Sequence, residues 1–143
     1  MKATDLMIGD WVGRVFDDKR IIEDYRQVDW IRTGEIGMRY CKVWSIGCIE
    51  PIPLTPEILE KNGWIQCKYE TCKSLYEYKG LHLRHTMIKR SNGRWVANVD
   101  GIVEKFPDEY THSFLRINVF YVHELQHALR LCGLNELADN FKV

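Results

Sequence analysis

Three residues near the end of the chain have the types and spacing of a zinc site. His123 and His127 stand four positions apart, and Glu124 directly follows the first of them. One helical turn brings positions i and i+4 side by side, so a helix would place the two imidazoles together. A glutamate at this position can deprotonate a zinc-bound water. One alternative is therefore a small zinc hydrolase, similar to metallopeptidases, with His123 and His127 as metal ligands and Glu124 as the catalytic general base.

The rest of a zinc site is not evident from the sequence. A catalytic zinc needs a third protein ligand and an open coordination position. The extended form of the motif would place a third histidine at position 133, where the chain has Gly133. Glu136 is a nearby carboxylate, but it follows the expected end of the helix. The leading prediction is therefore a protein without a cofactor and without enzymatic activity, and zinc is the minority hypothesis.

The same segment is also the clearest amphipathic helix in the chain. At 100° per residue, the following residues gather on one apolar face: Tyr121, Val122, Leu125, Ala128, Leu129 and Cys132. His123, Gln126, His127 and Arg130 gather on the opposite face. This pattern predicts a helix that closes a core with its apolar face and exposes both histidines.

A basic hairpin is the third candidate. The stretch from residue 78 to residue 99 contains no acidic residue and five basic ones: Lys79, Arg84, Lys89, Arg90 and Arg94. Asn92-Gly93 suits a tight turn, and the flanking residues predict two antiparallel strands. Such a hairpin could bind a nucleic-acid backbone. The alternative is a solvated edge that basic residues protect from aggregation, and a formal net charge of zero favours this second interpretation.

Composition indicates a folded protein of ordinary kind. The 143 residues are 45% hydrophobic and 12% aromatic, which is enough apolar material for a core without metal or disulfides. Five cysteines, an odd number without a Cys-x-x-Cys pair, predict reduced thiols and a cytoplasmic protein. Neither a signal peptide nor an apolar run of membrane-spanning length is evident, so no membrane association is expected.

The order of strand and turn signals predicts an α+β fold in three parts. Residues 1–52 read as short strands interrupted by glycines, and we expect an SH3-like curved sheet or small barrel. Residues 53–63 predict a connector helix with Thr55 as N-cap, Pro56 in the first turn and Gly63 as the stop. Residues 64–143 predict a second antiparallel β region closed by the C-terminal helix, although all three parts could form one joint domain.

Three segments of the chain resemble small uncharacterised proteins of Bacteroides-type phages, prophages and mobile elements. They are the opening Met1-Lys2-Ala3-Thr4-Asp5-Leu6-Met7-Ile8-Gly9-Asp10-Trp11-Val12, the central segment from Ile49 to Trp64, and Tyr121-Val122-His123-Glu124-Leu125-Gln126. The resemblance implies an accessory protein of such an element, without an assigned activity. Together with the composition, it leads us to expect a non-enzymatic protein that binds a partner, most simply another protein, through its β surface.

Overall fold

The computed structural model describes residues 2–15, 22–40, 42–68, 75–78, 81–86, 94–100 and 114–143. The chain divides into two compact units. The first consists of Met1–Pro53 together with Tyr121–Phe141, and the second consists of Leu54–Phe120. Each unit contains an antiparallel sheet and at least one helix, so the predicted α+β class is confirmed.

The sheet of the first unit has five strands. They are β1 (Trp11–Val15), β2 (Ile22–Arg32), β3 (Glu35–Met38), β4 (Lys42–Ser45) and β5 (Ile49–Glu50), in the spatial order β4-β3-β2-β1-β5. Short 3-10 turns cover Ala3–Asp5 and Ile46–Cys48. Within the described strands the sheet is open and does not close into a barrel, because β4 and β5 are its two edges.

A compact apolar core lies against this sheet. It is formed by seven buried residues: Leu6, Val12, Val28, Ile36, Met38, Trp44 and Ile49. The register shifts between Val28 and Trp30, so Val28 pairs with Met38 whereas Trp30 pairs with Gly37. Because neighbouring strand residues point to opposite faces, this bulge keeps Val28 in the core and turns Trp30 to the other face of the sheet.

Two helices complete the first unit. They are α2 (Val122–Leu131) and α3 (Asn135–Asp139), numbered after a helix of the second unit. Pro53 and Tyr121 form an isolated antiparallel bridge, and the backbone N–H of Val122 donates to the carbonyl of Ile52 at 2.9 Å. This assignment differs from the predicted boundaries, which grouped the last helix with residues 64–120. The partners that draw α2 to the first unit lie more than 60 positions earlier in the chain, and no local pattern identifies them.

The second unit begins with α1 (Pro56–Lys61), the predicted connector helix. Thr55 Oγ1 accepts a hydrogen bond from the N–H of Ile58 at 3.4 Å, Pro56 occupies the first turn, and Gly63 adopts a positive φ of 81°. Gly63 can adopt this left-handed conformation because it has no Cβ. Leu59 and Trp64 bury their side chains on either side of this stop.

Five further strands follow α1 in the described part of the chain. They are β6 (Ile65–Gln66), β7 (Leu75–Tyr78), β8 (Leu81–Thr86), β9 (Arg94–Asp100) and β10 (Phe114–Val119). They pair in chain order, each antiparallel to the next, so the predicted antiparallel pairing of β8 with β9 is present, while the predicted turn at Asn92-Gly93 lies outside the described residues. No helix in the described part of the chain is long and apolar enough to cross a membrane.

Candidate functional site

Glu124 takes part in starting helix α2. Its carboxylate Oε2 accepts a hydrogen bond from the backbone N–H of Tyr121, the N-cap residue, at 3.1 Å. A carboxylate at this position satisfies a backbone donor that the helix leaves unpaired, and it also favours the positive end of the helix dipole. The structure therefore gives Glu124 a role in capping, which differs from the predicted role of general base.

His127 lies against a buried carboxylate instead of facing open solvent. Its Nε2 is 2.7 Å from Oδ2 of Asp10, a residue with 0% exposure. The other oxygen of Asp10, Oδ1, accepts a hydrogen bond from Nη1 of Arg130 at 2.6 Å. The backbone N–H of Met7 also donates to Oδ2, at 2.7 Å. Both oxygens of this buried carboxylate are thus paired with cationic or N–H donors, as a charge removed from water requires.

Arg130 connects this carboxylate to helix α3 and to the preceding turn. Its Nη2 donates to Oδ1 of Asp139 at 3.1 Å and to the carbonyl of Ile8 at 3.3 Å. A Cβ at Gly9 would lie only 2.8 Å from the same Nη2, and Gly9 has a φ of +88°. The backbone conformation therefore favours glycine at position 9, and a Cβ there would also displace the end of the Arg130 side chain.

Two buried glutamines extend the polar contacts. Gln126 is fully buried; its Oε1 accepts from the N–H of Trp11 at 2.9 Å, and its Nε2 donates to the carbonyls of Gly9 at 3.0 Å and Ala138 at 2.7 Å. Gln27 donates to the carbonyl of Asp139 at 2.9 Å. We call Asp10, Gln126, His127, Arg130 and Asp139 the polar cluster; it joins the turn before β1 to both C-terminal helices.

His123 is buried without a hydrogen bond to its Nδ1. The residue is 5% exposed, and its Nδ1 has no partner among the described residues. Its ring stacks on Tyr121 at 5.9 Å and meets the ring of His127 edge-on at 5.8 Å between centroids. Burial lowers the pKa of His123 below its ordinary value, although the carboxylates of Asp10 and Glu124 oppose this effect. His123 is therefore a neutral imidazole at pH 7 with an unsatisfied buried nitrogen.

The prediction that the polar face of α2 is exposed to solvent is therefore wrong. The apolar residues Val122, Leu125, Ala128 and Leu129 are buried as expected, but His123 and Gln126 on the other face are buried as well. His127 keeps 23% of its side-chain surface exposed, and Arg130 keeps 16%. The polar face is covered because Asp10, Gly9 and helix α3 supply polar partners for it.

The described residues contain no group of three His, Cys, Asp or Glu side chains arranged to hold one metal ion. His123 and His127 are neighbours, but Glu124 is directed to the helix start and Asp10 is shared by His127 and Arg130. Glu136 lies on α3 and is exposed. Asp10 was not predicted as a member of this site. In the sequence, Gly9-Asp10 has only the local pattern of a bend.

The basic hairpin is described only in part. Arg84 lies on β8 opposite Val96, and Arg94 lies on β9 opposite Thr86, so the two arginine positions are close in the ladder. Lys79, Lys89 and Arg90 lie outside the described residues. The nucleic-acid alternative therefore stays a prediction.

A second surface feature lies on the first sheet. Trp30, Gly37 and Val43 are paired in one row across β2, β3 and β4. A Cβ at Gly37 would lie 2.0 Å from the indole of Trp30, so this ring lies directly over the glycine backbone. The guanidinium of Arg32 is 4.9 Å from the centre of the same indole. We call Trp30, Arg32, Gly37 and Val43 the Trp30 surface.

Comparison of the chain with protein-family models, with curated proteins and with solved structures found no match.

Proposed function

We propose that this chain is a non-enzymatic accessory protein that binds another protein through the Trp30 surface of its first sheet. The observation that carries the proposal is the row of Trp30, Gly37 and Val43, with Arg32 stacked on the indole. Val43 is 54% exposed, and Trp30 is half-buried. Tryptophan and arginine are the side chains that most often dominate protein–protein binding energy.

The shape of this surface favours a protein partner. The indole of Trp30 is held flat by the backbone of Gly37, so it loses little conformational freedom when a partner covers it. Tyr40, in the turn between β3 and β4, is 82% exposed and has a positive φ of 74°. A non-glycine residue with a positive φ stores backbone strain, which is common at binding sites.

The charges of the first sheet do not favour a nucleic-acid partner. Asp24 on β2 pairs with Arg26 at 3.2 Å and with Lys42 at 3.7 Å. Two of the cations on this sheet are therefore already near a carboxylate and contribute less to a field that attracts phosphates. Binding by the hairpin residues Arg84 and Arg94 is the competing proposal, and a salt titration with DNA and RNA tests it separately.

We also propose an SH3-like arrangement for the first sheet and a cytoplasmic location for the protein. An SH3-like arrangement is supported by the meander of β1 to β4, the 3-10 turn at Ile46–Cys48 and the return of β5 to the edge of β1. Cys48, Cys67 and Cys132 are free thiols, which suits the reducing cytoplasm of a cell that carries a phage or mobile element. Interstrand contacts measured by NMR and a cell fractionation test these two statements.

The binding proposal is tested by capture with matched variants. The wild-type protein, Val43→Arg and Ile65→Arg would each be immobilised and exposed to extract from cells that express the chain. Ile65 is 66% exposed on β6 of the second unit and does not belong to the Trp30 surface, so Ile65→Arg is a control of equal chemistry. We expect a protein retained by wild type and Ile65→Arg but lost with Val43→Arg, and the same loss with purified components. Equal retention by all three variants would remove the Trp30 surface from the proposal.

A further inference from the structure

We propose that His123 and His127 together bind one divalent transition-metal ion through imidazole nitrogens, with water in the remaining positions. The site is non-catalytic, and Glu124 is not part of it. This inference does not depend on the proposed protein-binding function, because it rests on different residues.

The hydrogen bond between Asp10 and His127 places His127 in the arrangement of a metal-binding histidine. Histidines that bind metals usually donate the N–H of the other ring nitrogen to a carboxylate, which fixes the tautomer and the ring orientation. Asp10 Oδ2 lies 2.7 Å from Nε2 of His127 and is itself held by the N–H of Met7. With the proton on Nε2, the lone pair of His127 is on Nδ1. Because the side chain of His127 is 23% exposed, an ion can approach from solvent.

His123 has a buried ring nitrogen without a hydrogen-bond partner among the described residues. A buried nitrogen without a hydrogen bond costs free energy, and each such group calls for a physical explanation. Nδ1 of His123 is in this condition, one helical turn from His127, with 5.8 Å between the ring centres. An ion between the two rings would supply the missing partner.

The chemistry of the site selects the class of ion. Two neutral imidazoles suit Zn²⁺, Ni²⁺, Co²⁺ or Cu²⁺, whereas Mg²⁺ and Ca²⁺ prefer oxygen ligands. The Asp10 carboxylate is balanced by Arg130 on its other oxygen, so it orients His127 without serving as a ligand. Two protein ligands predict moderate affinity and not the tight binding of a closed structural zinc site.

The test is a titration of chelator-treated protein with Zn²⁺ by calorimetry and with Co²⁺ by visible absorption. We expect one ion per chain and a Co²⁺ spectrum that changes with imidazole ligation. His127→Gln retains a donor at the position of Nε2 but has no Nδ1, and His123→Leu removes the other ligand with little change of volume. Each should weaken binding at least about tenfold, and Asp10→Asn should weaken it by about 10- to 100-fold.

The control variant is Glu124→Gln, which keeps an acceptor at the helix start and should bind Zn²⁺ as wild type does. Circular dichroism verifies that each variant is folded, and His127→Gln is the decisive one because it preserves a donor to Asp10. The proposal fails if wild type takes up no Zn²⁺, or if folded His127→Gln and His123→Leu bind it with wild-type affinity. A dependence of affinity on Glu124 would instead favour ligation by that carboxylate and would also overturn the proposed site.

Discussion

Oδ2 of Asp10 and Nε2 of His127 lie 2.7 Å apart although 117 positions separate the two residues in the chain. Asp10 precedes the first strand, and His127 stands in the middle of helix α2. The contact explains why an apparently exposed helix face is buried. It also makes the polar cluster a structural element of the first unit, and its members can be tested one at a time.

Asp10→Asn should destabilise the protein strongly. The substitution removes the negative charge from a residue with 0% exposure, so His127 loses its carboxylate partner and Arg130 keeps only the exposed carboxylate of Asp139. Loss of one member of a buried ion pair costs about 3–5 kcal/mol, so we expect a decrease of this order in the free energy of unfolding. Urea denaturation measures the change. Asp29→Asn, at an exposed position of β2, is the control and should change it by less than about 0.5 kcal/mol.

Gln126→Leu should also destabilise the protein, although leucine is more apolar. The amide of Gln126 satisfies the N–H of Trp11 and the carbonyls of Gly9 and Ala138. Leucine would leave these backbone groups buried without a partner, at a cost of about 1–3 kcal/mol for each unsatisfied group. Thermal unfolding should show a clear decrease in Tm. An unchanged Tm would mean that the three backbone groups find other partners.

His123→Leu, in contrast, should stabilise the metal-free protein. Leucine has a similar volume and removes the unsatisfied Nδ1, so the free energy of unfolding should rise by about 1 kcal/mol at pH 7. Denaturation after treatment with a chelator measures this difference. A loss of stability would show that the imidazole makes a stabilising contact in the apo protein.

His123 should also make stability depend on pH in a defined direction. Because burial lowers its pKa in the folded state below the ordinary value of 6.5, the unfolded chain binds this proton more readily. The contribution of the neutral imidazole is then fully present above pH 6.5 and is lost as the pH falls through the lowered folded pKa. Unfolding free energies measured from pH 7 downward should therefore decline less steeply for His123→Leu than for wild type. Parallel curves would contradict this assignment.

Gly37→Ala should disturb the Trp30 surface through a specific pair of residues. The new Cβ would lie 2.0 Å from the Trp30 indole, so the ring must move away. Such overpacking typically costs about 1–3 kcal/mol. In a Trp30→Ala background the same substitution should cost less, because the clashing ring is absent. A double-mutant cycle by denaturation measures this coupling, and additive effects would show that the two positions do not interact.

Local sequence signals were sufficient for several elements. The caps of α1 are set by Thr55, Pro56 and Gly63, which act on their own backbone neighbours. Helix α2 was predicted from its apolar periodicity, since burying that face requires only a helical period. The pairing of β8 and β9 was likewise predicted from the local pattern of residues 78–99, of which the predicted Asn92-Gly93 turn lies outside the described residues. In each case the determining interactions lie within a few residues.

Only the tertiary structure decided what the polar face of α2 contacts. The sequence supplied His123, Gln126, His127 and Arg130 on one side of a helix, and polar side chains favour solvent unless partners are present. Asp10, Gly9 and Ala138 provide those partners, and they come from a distant turn and a separate helix. The burial of a polar side chain depends on such long-range pairing, which a single sequence does not encode in any local pattern. The same physical reason determined that α2 belongs to the first unit and that Asp10 lies beside the two histidines.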